Sequence, residues 1–226
     1  QISAVHCNQE YGIHETQRDL ASANLLEQQG IAWHSHFDQL LFKPGSVLTQ
    51  SGSYFQVFSQ FRKVCQQRLH LSLPACLPYP SAQAPLAIVS DELPGSVSGF
   101  DTPGAALRNL WPAGEAEAQR RLQCFADEQM DAYDRQRDLP AVPGTSQLSA
   151  YLAAGVISVR QCLHAALQVN RGEFDSGNPG IVCWINELLW REFYKHVLVG
   201  YPRVSRHRAF RPDTEAVAWR HAPDDL

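Results

Sequence analysis

The sequence predicts an α/β region followed by an all-α region, with a long connection of little regular structure between them. A strand–helix–strand pattern occupies the first 36 residues, and apolar residues recur at helical spacing from residue 115 onward. Residues 73–112 are rich in Pro, Ser, Gly and Ala and show little periodicity. The expected units are 1–40, the C-terminal part of an α/β domain; 41–113, an interdomain linker with one helix; and 114–226, the N-terminal part of a helical domain.

The first region reads as one strand, one helix and a second strand. Residues 2–7 form a short apolar run, and residues 31–36 alternate as a strand. Between them, residues 15–29 carry Leu20 and Leu26 at helical spacing, before Gly30. Two strands are too few for an independent sheet. Because position 1 is also Gln rather than Met, we expect the chain to be an internal part of a longer protein.

Five further helices are predicted downstream. The first spans 54–69 within the linker, and its apolar face comprises Phe58, Phe61, Cys65 and Leu69. The next two span 115–133 and 145–154. Ser158 with Gln161 forms a capping-box pattern that opens another. Asn178 with Pro179 begins a long last helix that reaches about residue 199.

Composition excludes several classes of protein. The 226 residues include ten Phe, five Trp and seven Tyr, which a disordered chain would not carry. The net charge of −4 gives no overall reason to expect a nucleic-acid partner. Six cysteines without a C-x-x-C pair indicate reduced thiols. The nine histidines are too dispersed to predict a metal site. No apolar run in the sequence is long enough for a membrane span. These features favour a cytoplasmic protein.

The predicted last helix carries an unusual stripe. At about 100° per residue, five side chains of mixed chemistry fall within roughly a 120° arc. They are Trp184, Glu187, Trp190, Arg191 and Tyr194. Flat aromatic groups beside a carboxylate and a guanidinium suit a binding surface. Core aromatics with solvated charged neighbours explain the same spacing equally well.

A basic run follows the stripe. Six basic residues stand against the single acid Glu192 in the same interval, namely Arg191, Lys195, Arg203, Arg206, Arg208 and Arg211. This local reversal of charge is typical of a surface that approaches phosphates. Taken alone, the run more often marks a solvated surface, but the adjacent aromatic stripe favours a nucleic-acid surface.

A second polar segment precedes the predicted helix at 145–154. It places Gly144, Thr145, Ser146 and Ser149 at a helix start, where free backbone N–H groups and hydroxyls can hold an anion. Helix capping by Ser or Thr explains the same residues without a ligand, and spacing alone favours capping.

Segments 133–149 and 184–194 together resemble the DNA photolyase and cryptochrome flavoprotein family, most of all the bacterial class I cyclobutane pyrimidine dimer photolyases. The motif E-L-L-W-R-E-F-Y at 187–194 is close to diagnostic. The resemblance implies the end of a Rossmann-like antenna domain, a linker, and the start of a helical FAD-binding domain. It also implies light-dependent repair of pyrimidine dimers in DNA by electron transfer from reduced FAD, in a monomeric protein.

The resemblance assigns roles to individual residues. The FAD-binding positions are Tyr133, Thr145, Ser146, Gln147, Leu148, Ser149 and Trp184. The positions that contact DNA or the dimer are Arg137, Glu187, Trp190, Arg191 and Tyr194. Glu15 matches an acidic contact of an antenna pigment such as methenyltetrahydrofolate. The chain departs from the family pattern beside that contact, at His14, Ser205 and Arg206, and Gln147 replaces a basic residue common in the phosphate loop.

Two other functions fit the same sequence. A cryptochrome would keep FAD and signal light without repair, although Glu187 disfavours the (6-4) photolyase branch and Glu192 disfavours the DASH branch. A helical nucleic-acid-binding module would carry no cofactor. We expect these 226 residues alone not to repair DNA, because the family's FAD-binding domain continues beyond the length present here.

Overall fold

The N-terminal region is a parallel strand–helix–strand unit. The computed structural model describes residues 2–84, 89 and 91–218. Strand β1 (Ala4–Asn8) pairs in parallel with β2 (Ala32–His36), in a register that runs from Ala4 opposite Ala32 to Asn8 opposite His36. Helix α1 (Ile13–Gln28) connects the two strands. The predicted order is confirmed, and a small parallel sheet precedes a series of helices.

The connection after β2 contains two helices, so the expectation of a linker with one helix was wrong. Helix α2 (Phe58–Leu71) is the predicted one, and it begins four residues later than expected. Helix α3 (Ala105–Leu110) was missed because its six residues include none that are buried, and so leave no apolar stripe to detect. Linker residues 85–88 and 90, like residues 219–226 of the predicted helical domain, lie outside the described part of the chain.

The helical region begins at residue 115, as predicted. Its helices are α4 (Glu115–Glu128), α5 (Tyr133–Gln136), α6 (Ser149–Ala154), α7 (Val159–Val169) and α8 (Pro179–Gly200). Three short 3-10 segments span Met130–Ala132, Val204–Arg206 and Pro212–Ala216. The expected helix over 115–133 is therefore interrupted at Gln129, where the backbone turns to φ −133° and ψ −25°.

The long helices begin at the predicted caps. The Ser158 hydroxyl accepts the Gln161 N–H at 3.1 Å, and the Gln161 side-chain oxygen accepts the Ser158 N–H at 2.8 Å. At the start of α8, the Asn178 side chain accepts the N–H groups of Gly180 and Ile181, with Pro179 in the first turn. Each cap satisfies backbone donors that the helix itself leaves unpaired.

Helix α8 lies at the centre of the core. Nine of its 22 residues are buried, and it packs against α2, α5 and α7. Phe61 of α2 is fully buried, and its ring lies 5.5 Å from that of Phe193 and 5.0 Å from that of His196. The segment before α2 joins the same core, since Leu41, Phe42 and Val47 belong to its cluster of buried residues. Within the described residues, no helix is long and apolar enough to cross a membrane.

Candidate functional site

The predicted stripe on α8 runs from the core to the surface. Trp184 retains only 3% of its accessible surface and packs on the ring of Phe125 at 5.3 Å. Glu187 and Trp190 are half-buried, and Tyr194 is 62% exposed. Trp184 therefore offers almost no ring face to a ligand, and the core alternative describes it better. The remainder of the stripe is accessible at its C-terminal end.

Glu187 is held by an arginine from a distant part of the chain. Arg137, which follows α5, forms an ion pair with the Glu187 carboxylate through its Nη1 atom. The same guanidinium lies 3.5 Å from the Cys183 sulfur and 5.8 Å from the centre of the Tyr133 ring. The hydrogen bond to Glu187 is the main cause that raises the pKa of Arg137. Two predicted DNA contacts and one predicted FAD contact thus form one cluster.

Trp190 stands in a row of stacked side chains. Its ring lies parallel to Phe58 of α2, with centres 3.6 Å apart and planes 11° apart. Tyr194 also stacks on Trp190, at 5.5 Å and 22°. The Arg62 guanidinium lies over the Phe58 ring at 5.8 Å. Sequence reasoning missed Phe58 and Arg62, because the α2 stripe that contains Phe58 was interpreted only as a core face.

The structure separates Arg191 from the rest of the stripe. Its Nη1 atom donates to the Gln39 carbonyl at 2.6 Å, in the segment that follows β2. There it borders a small cavity with Asn8 and Asp38, near the carboxyl ends of the strands. The hydrogen bond directs the guanidinium toward the 37–42 segment, and the assignment of Arg191 as a DNA contact stays a prediction. Adjacent residues on a helix point about 100° apart, and the packing of the 37–42 segment decides which side Arg191 joins.

Glu192 fixes the segment after β2 to α8. Its fully buried carboxylate accepts the N–H groups of Leu41 at 2.8 Å and of Phe42 at 3.1 Å. Burial raises its pKa to about 7, and the two backbone hydrogen bonds oppose that rise. One turn later, His196 Nε2 lies 3.1 Å from the Phe42 carbonyl, and burial lowers its pKa. Glu192 is thus a structural group of the interior rather than a surface acid of the basic run.

Three arginines of the basic run have acidic partners. Glu215 pairs with Arg203 at 2.7 Å and binds the Arg208 Nε at 2.8 Å, and Arg211 lies 3.8 Å from Asp213. Hydrogen bonding from Arg208 is the main cause that lowers the pKa of Glu215 to about 2. Two acids thus pair with three of the six basic residues, and the interpretation of the run as a nucleic-acid surface stays a prediction. The acids that pair with the arginines lie just beyond the interval in which charges were counted.

The segment before α6 carries backbone N–H groups without an acceptor in the described part of the chain. Helix α6 begins without a side-chain cap, so the capping alternative does not describe it. Within the described residues, the N–H groups of residues 145–148 donate no hydrogen bond. Gln147 adopts a φ of +50°, and its side-chain oxygen accepts from Arg121 Nη1 at 3.2 Å. Sequence reasoning missed Arg121, a cation 26 residues away that stands beside the position where a basic residue was expected.

Glu15 lies near a cavity between the strand–helix–strand unit and the end of α8. The cavity encloses about 490 Å³ and is bordered by Tyr11, Ile13, Trp33, Val199 and Ser205, among others. Lys195 of α8 is half-buried, and burial is the main cause that lowers its pKa; the charge of Arg191 adds to this lowering, and those of Glu10 and Glu15 oppose it. The described residues contain no cluster of three or more His, Cys, Asp or Glu side chains that could hold a metal ion.

Comparison with known proteins identifies the family. The DNA photolyase family model matches residues 1–81. The deoxyribodipyrimidine photo-lyase of Salmonella typhimurium is 35% identical over 226 residues, which cover 98% of this chain and 46% of that protein. The Escherichia coli protein of the same name is 33% identical over 228 residues, with 100% and 46% covered. The chain thus spans less than half the length of these relatives.

Solved structures agree with the sequence comparison. A bacterial class III photolyase from Agrobacterium tumefaciens superposes with a TM-score of 0.75 at 27% identity, over 96% of this chain and 45% of that one. A Synechocystis cryptochrome shares the fold with a TM-score of 0.71 at 22% identity, over 88% and 42%. The motifs at 133–149 and 187–194, the fold and these relatives lead to one assignment. The chain belongs to the DNA photolyase and cryptochrome family.

Proposed function

We propose that the protein carrying this chain is a deoxyribodipyrimidine photo-lyase, which binds cyclobutane pyrimidine dimers in DNA and splits them with light. The observation that carries the proposal is the cluster on α8. Arg137 and Glu187, 50 residues apart in sequence, meet on the same helix that presents Trp190 and Tyr194. Curated photo-lyases at 33–35% identity along essentially the whole chain support it.

The chemistry of the cluster suits an extruded pair of bases. A carboxylate accepts hydrogen bonds from base N–H groups, and Glu187 is half-buried, where competition from water is reduced. Trp190 and Tyr194 supply an aromatic surface on which bases can pack. A dimer stacks poorly in the duplex and costs less to extrude than intact bases, so such a pocket selects it. Arg137, which pairs with Glu187, retains further N–H donors that could bind the adjoining phosphate.

The segment before α6 fits the phosphates of FAD. The N–H groups of 145–148 have no hydrogen-bond acceptor in the described structure, and the nearby Arg121, which pairs with Glu117 at 2.7 Å, donates to the Gln147 side chain. Thr145, Ser146 and Ser149 contribute hydroxyls, and Tyr133 adds an aromatic ring. When bound, reduced FAD supplies the light-driven electron for dimer splitting. Trp184 supports this site from behind, since Phe125 packs on both Trp184 and Tyr133.

The cavity beside α1 is the proposed place for an antenna pigment. It lies between the parallel strands and the end of α8, Glu10 borders it, and the charges of Glu10 and Glu15 act on the half-buried Lys195. A lysine together with carboxylates suits an anionic, hydrogen-bonding chromophore such as a folate. This proposed pigment site departs from the family pattern, because Ser205 borders the cavity where the pattern has Cys.

We also propose the predicted domain organisation: the end of a Rossmann-like antenna domain over 1–40, a linker over 41–113, and the start of a helical FAD-binding domain over 114–226. The weak burial of β1, α1 and β2 compared with α8 supports a boundary near residue 40. The first part of the linker packs on the helical domain, because Leu41 and Phe42 donate hydrogen bonds to Glu192.

Illumination distinguishes the three candidate functions. The complete protein, with reduced FAD, is mixed with an oligonucleotide that contains one thymine dimer, and dimer content is measured after blue light and after darkness. A photo-lyase removes the dimer only in light, and Glu187→Gln slows that removal. A cryptochrome binds the flavin and leaves the dimer intact, whereas a cofactor-free module shows no flavin absorption after reconstitution. Either of the last two results would contradict the proposal.

A further inference from the structure

The side chain of Arg121 joins α4 to two other parts of the helical region. It is only 14% exposed, and its Nε atom binds the Glu117 carboxylate at 2.7 Å. Its Nη2 atom donates to the Leu110 carbonyl at 2.6 Å, at the end of α3. Its Nη1 atom donates to the Gln147 side chain at 3.2 Å, and its guanidinium lies 5.4 Å from the centre of the Tyr151 ring of α6. These contacts hold the guanidinium in one place beside the segment 145–148.

The contact with Arg121 orients Gln147. This residue is exposed and adopts a φ of +50°, a left-handed conformation that is unfavourable for a side chain other than glycine. Because a guanidinium only donates, the Gln147 side-chain oxygen faces Arg121, and the NH2 group of the amide is left for another acceptor. Within the described residues, neither that NH2 group nor the N–H groups of 145–148 donate a hydrogen bond.

The segment itself contains no charge to balance an anion. No Asp, Glu, Lys, Arg or His occurs between Asp138 and Arg160. The diphosphate of FAD is anionic, and an anion that leaves water needs opposing charge and hydrogen-bond donors. Arg121 supplies a cation that touches the segment. Glu117 does not cancel this charge, because it also binds Arg120 at 2.7 Å, so two cations and one anion leave a net charge of +1.

We propose that Arg121 is the positioning residue for the FAD phosphates: it holds Gln147 so that the amide NH2 group and the neighbouring N–H groups can donate to phosphate oxygens, and it supplies positive charge from α4. The inference rests on the proposed function. It places the charge of the phosphate site on α4, outside the segment that the sequence singled out.

The test moves the charge from α4 to the segment. The complete protein is prepared without flavin, and its affinity for FAD is measured by the change in flavin fluorescence. The variants are Arg121→Gln, Arg120→Gln, Gln147→Glu, and Arg121→Gln combined with Gln147→Arg. Arg120 is the matched control, because it pairs with Glu117 on the same helix, is 62% exposed, and makes no hydrogen bond to Gln147 within the described residues.

The four variants are expected to separate clearly. Arg121→Gln should weaken FAD binding roughly tenfold or more, because a charge-assisted contribution is lost. Arg120→Gln should stay within about twofold of wild type, because its charge is exposed to water. The double variant should regain most of the affinity that Arg121→Gln loses, since it restores a cation at the segment. A purely structural role of Arg121 does not predict this recovery, and urea midpoints of the flavin-free proteins measure any loss of stability separately.

Gln147→Glu keeps the contacts of Arg121 with α3 and α4 while it neutralises the guanidinium, so it should also weaken FAD binding even if Arg121→Gln fails to fold. Unchanged affinity in Gln147→Glu would overturn the inference. Equal affinities of Arg121→Gln and Arg120→Gln, or a double variant no better than Arg121→Gln, would overturn it as well. A wild-type protein that binds no FAD would contradict the proposed function instead.

Discussion

The strand–helix–strand unit and helix α8 follow equally clear sequence patterns, yet they differ in how they are held. None of the 16 residues of α1 is buried, and its side chains Leu20 and Leu25 are 60% and 58% exposed. Nine of the 22 residues of α8 are buried. Local pattern is therefore sufficient for secondary structure in both regions, but only α8 has the packing to fix functional side chains. The proposed site lies on the better-anchored element.

The largest expected effect follows from removing an anchor of α8. Phe61 is fully buried between the rings of Phe55, Phe193 and His196. Phe61→Ala leaves a cavity and is expected to lower the free energy of unfolding by about 3–5 kcal/mol. Urea denaturation measures this loss. Leu20→Ala in α1 is the matched control, and we expect it to change stability by less than about 0.5 kcal/mol. Similar losses for the two variants would remove the contrast between the regions.

The next effect concerns the pH dependence of the stability that Glu192 of α8 contributes. The folded pKa of Glu192, about 7, lies above the ordinary value of 4.5, so the folded protein binds this proton more tightly than the unfolded chain. The resulting stability is fully present below about pH 4.5 and is lost as pH rises to about 7, in total roughly 3 kcal/mol.

Glu192→Gln cannot titrate, so its stability is expected to fall less than that of wild type over this interval. Urea midpoints measured at several pH values for both proteins provide the test. The buried His196 titrates in both proteins and cancels in the difference. Parallel curves would show that Glu192 is already ionised throughout the interval, and that its two backbone hydrogen bonds outweigh its burial.

A smaller effect is expected where the two regions meet. Arg160 of α7 donates from Nη1 to the Asp38 carbonyl at 3.0 Å and to its carboxylate at 2.9 Å, just after β2. Because the Asp38 side chain is 46% exposed, Arg160→Gln is expected to cost only about 1 kcal/mol. Amide hydrogen exchange should show faster exchange in β2 than in α8. Uniform acceleration throughout the chain would mean that the two regions unfold as one unit.

Features that depend on neighbouring residues were predictable from the sequence. The Ser158–Gln161 capping box, the Asn178 cap and the buried face of α2 all follow from spacings within one or two turns. Residue spacing could not predict that Arg137 and Glu187 form an ion pair, but the family motifs had singled out both residues. Each of these signals is local in the chain, even where the contact is not.

Features set by what packs against a helix were not predictable. Glu192 looked like a surface acid because its partners, the N–H groups of Leu41 and Phe42, are about 150 residues away. Arg191 turned toward Gln39 for the same reason. Phe58 satisfied a core periodicity while it served as the stacking partner of Trp190. The period of an apolar pattern indicates on which face of a helix a residue lies, whereas tertiary contacts decide what packs against that face.

The central claim is that the exposed end of the α8 stripe recognises the dimer. The most direct measurement compares affinity for dimer-containing and undamaged duplex DNA in wild type, Trp190→Phe and Trp190→Ala, each with flavin bound. Base stacking is worth about 1–3 kcal/mol, so Trp190→Ala should lose roughly tenfold or more of the preference while Trp190→Phe keeps most of it and the flavin absorption persists. An unchanged preference in Trp190→Ala would contradict the account.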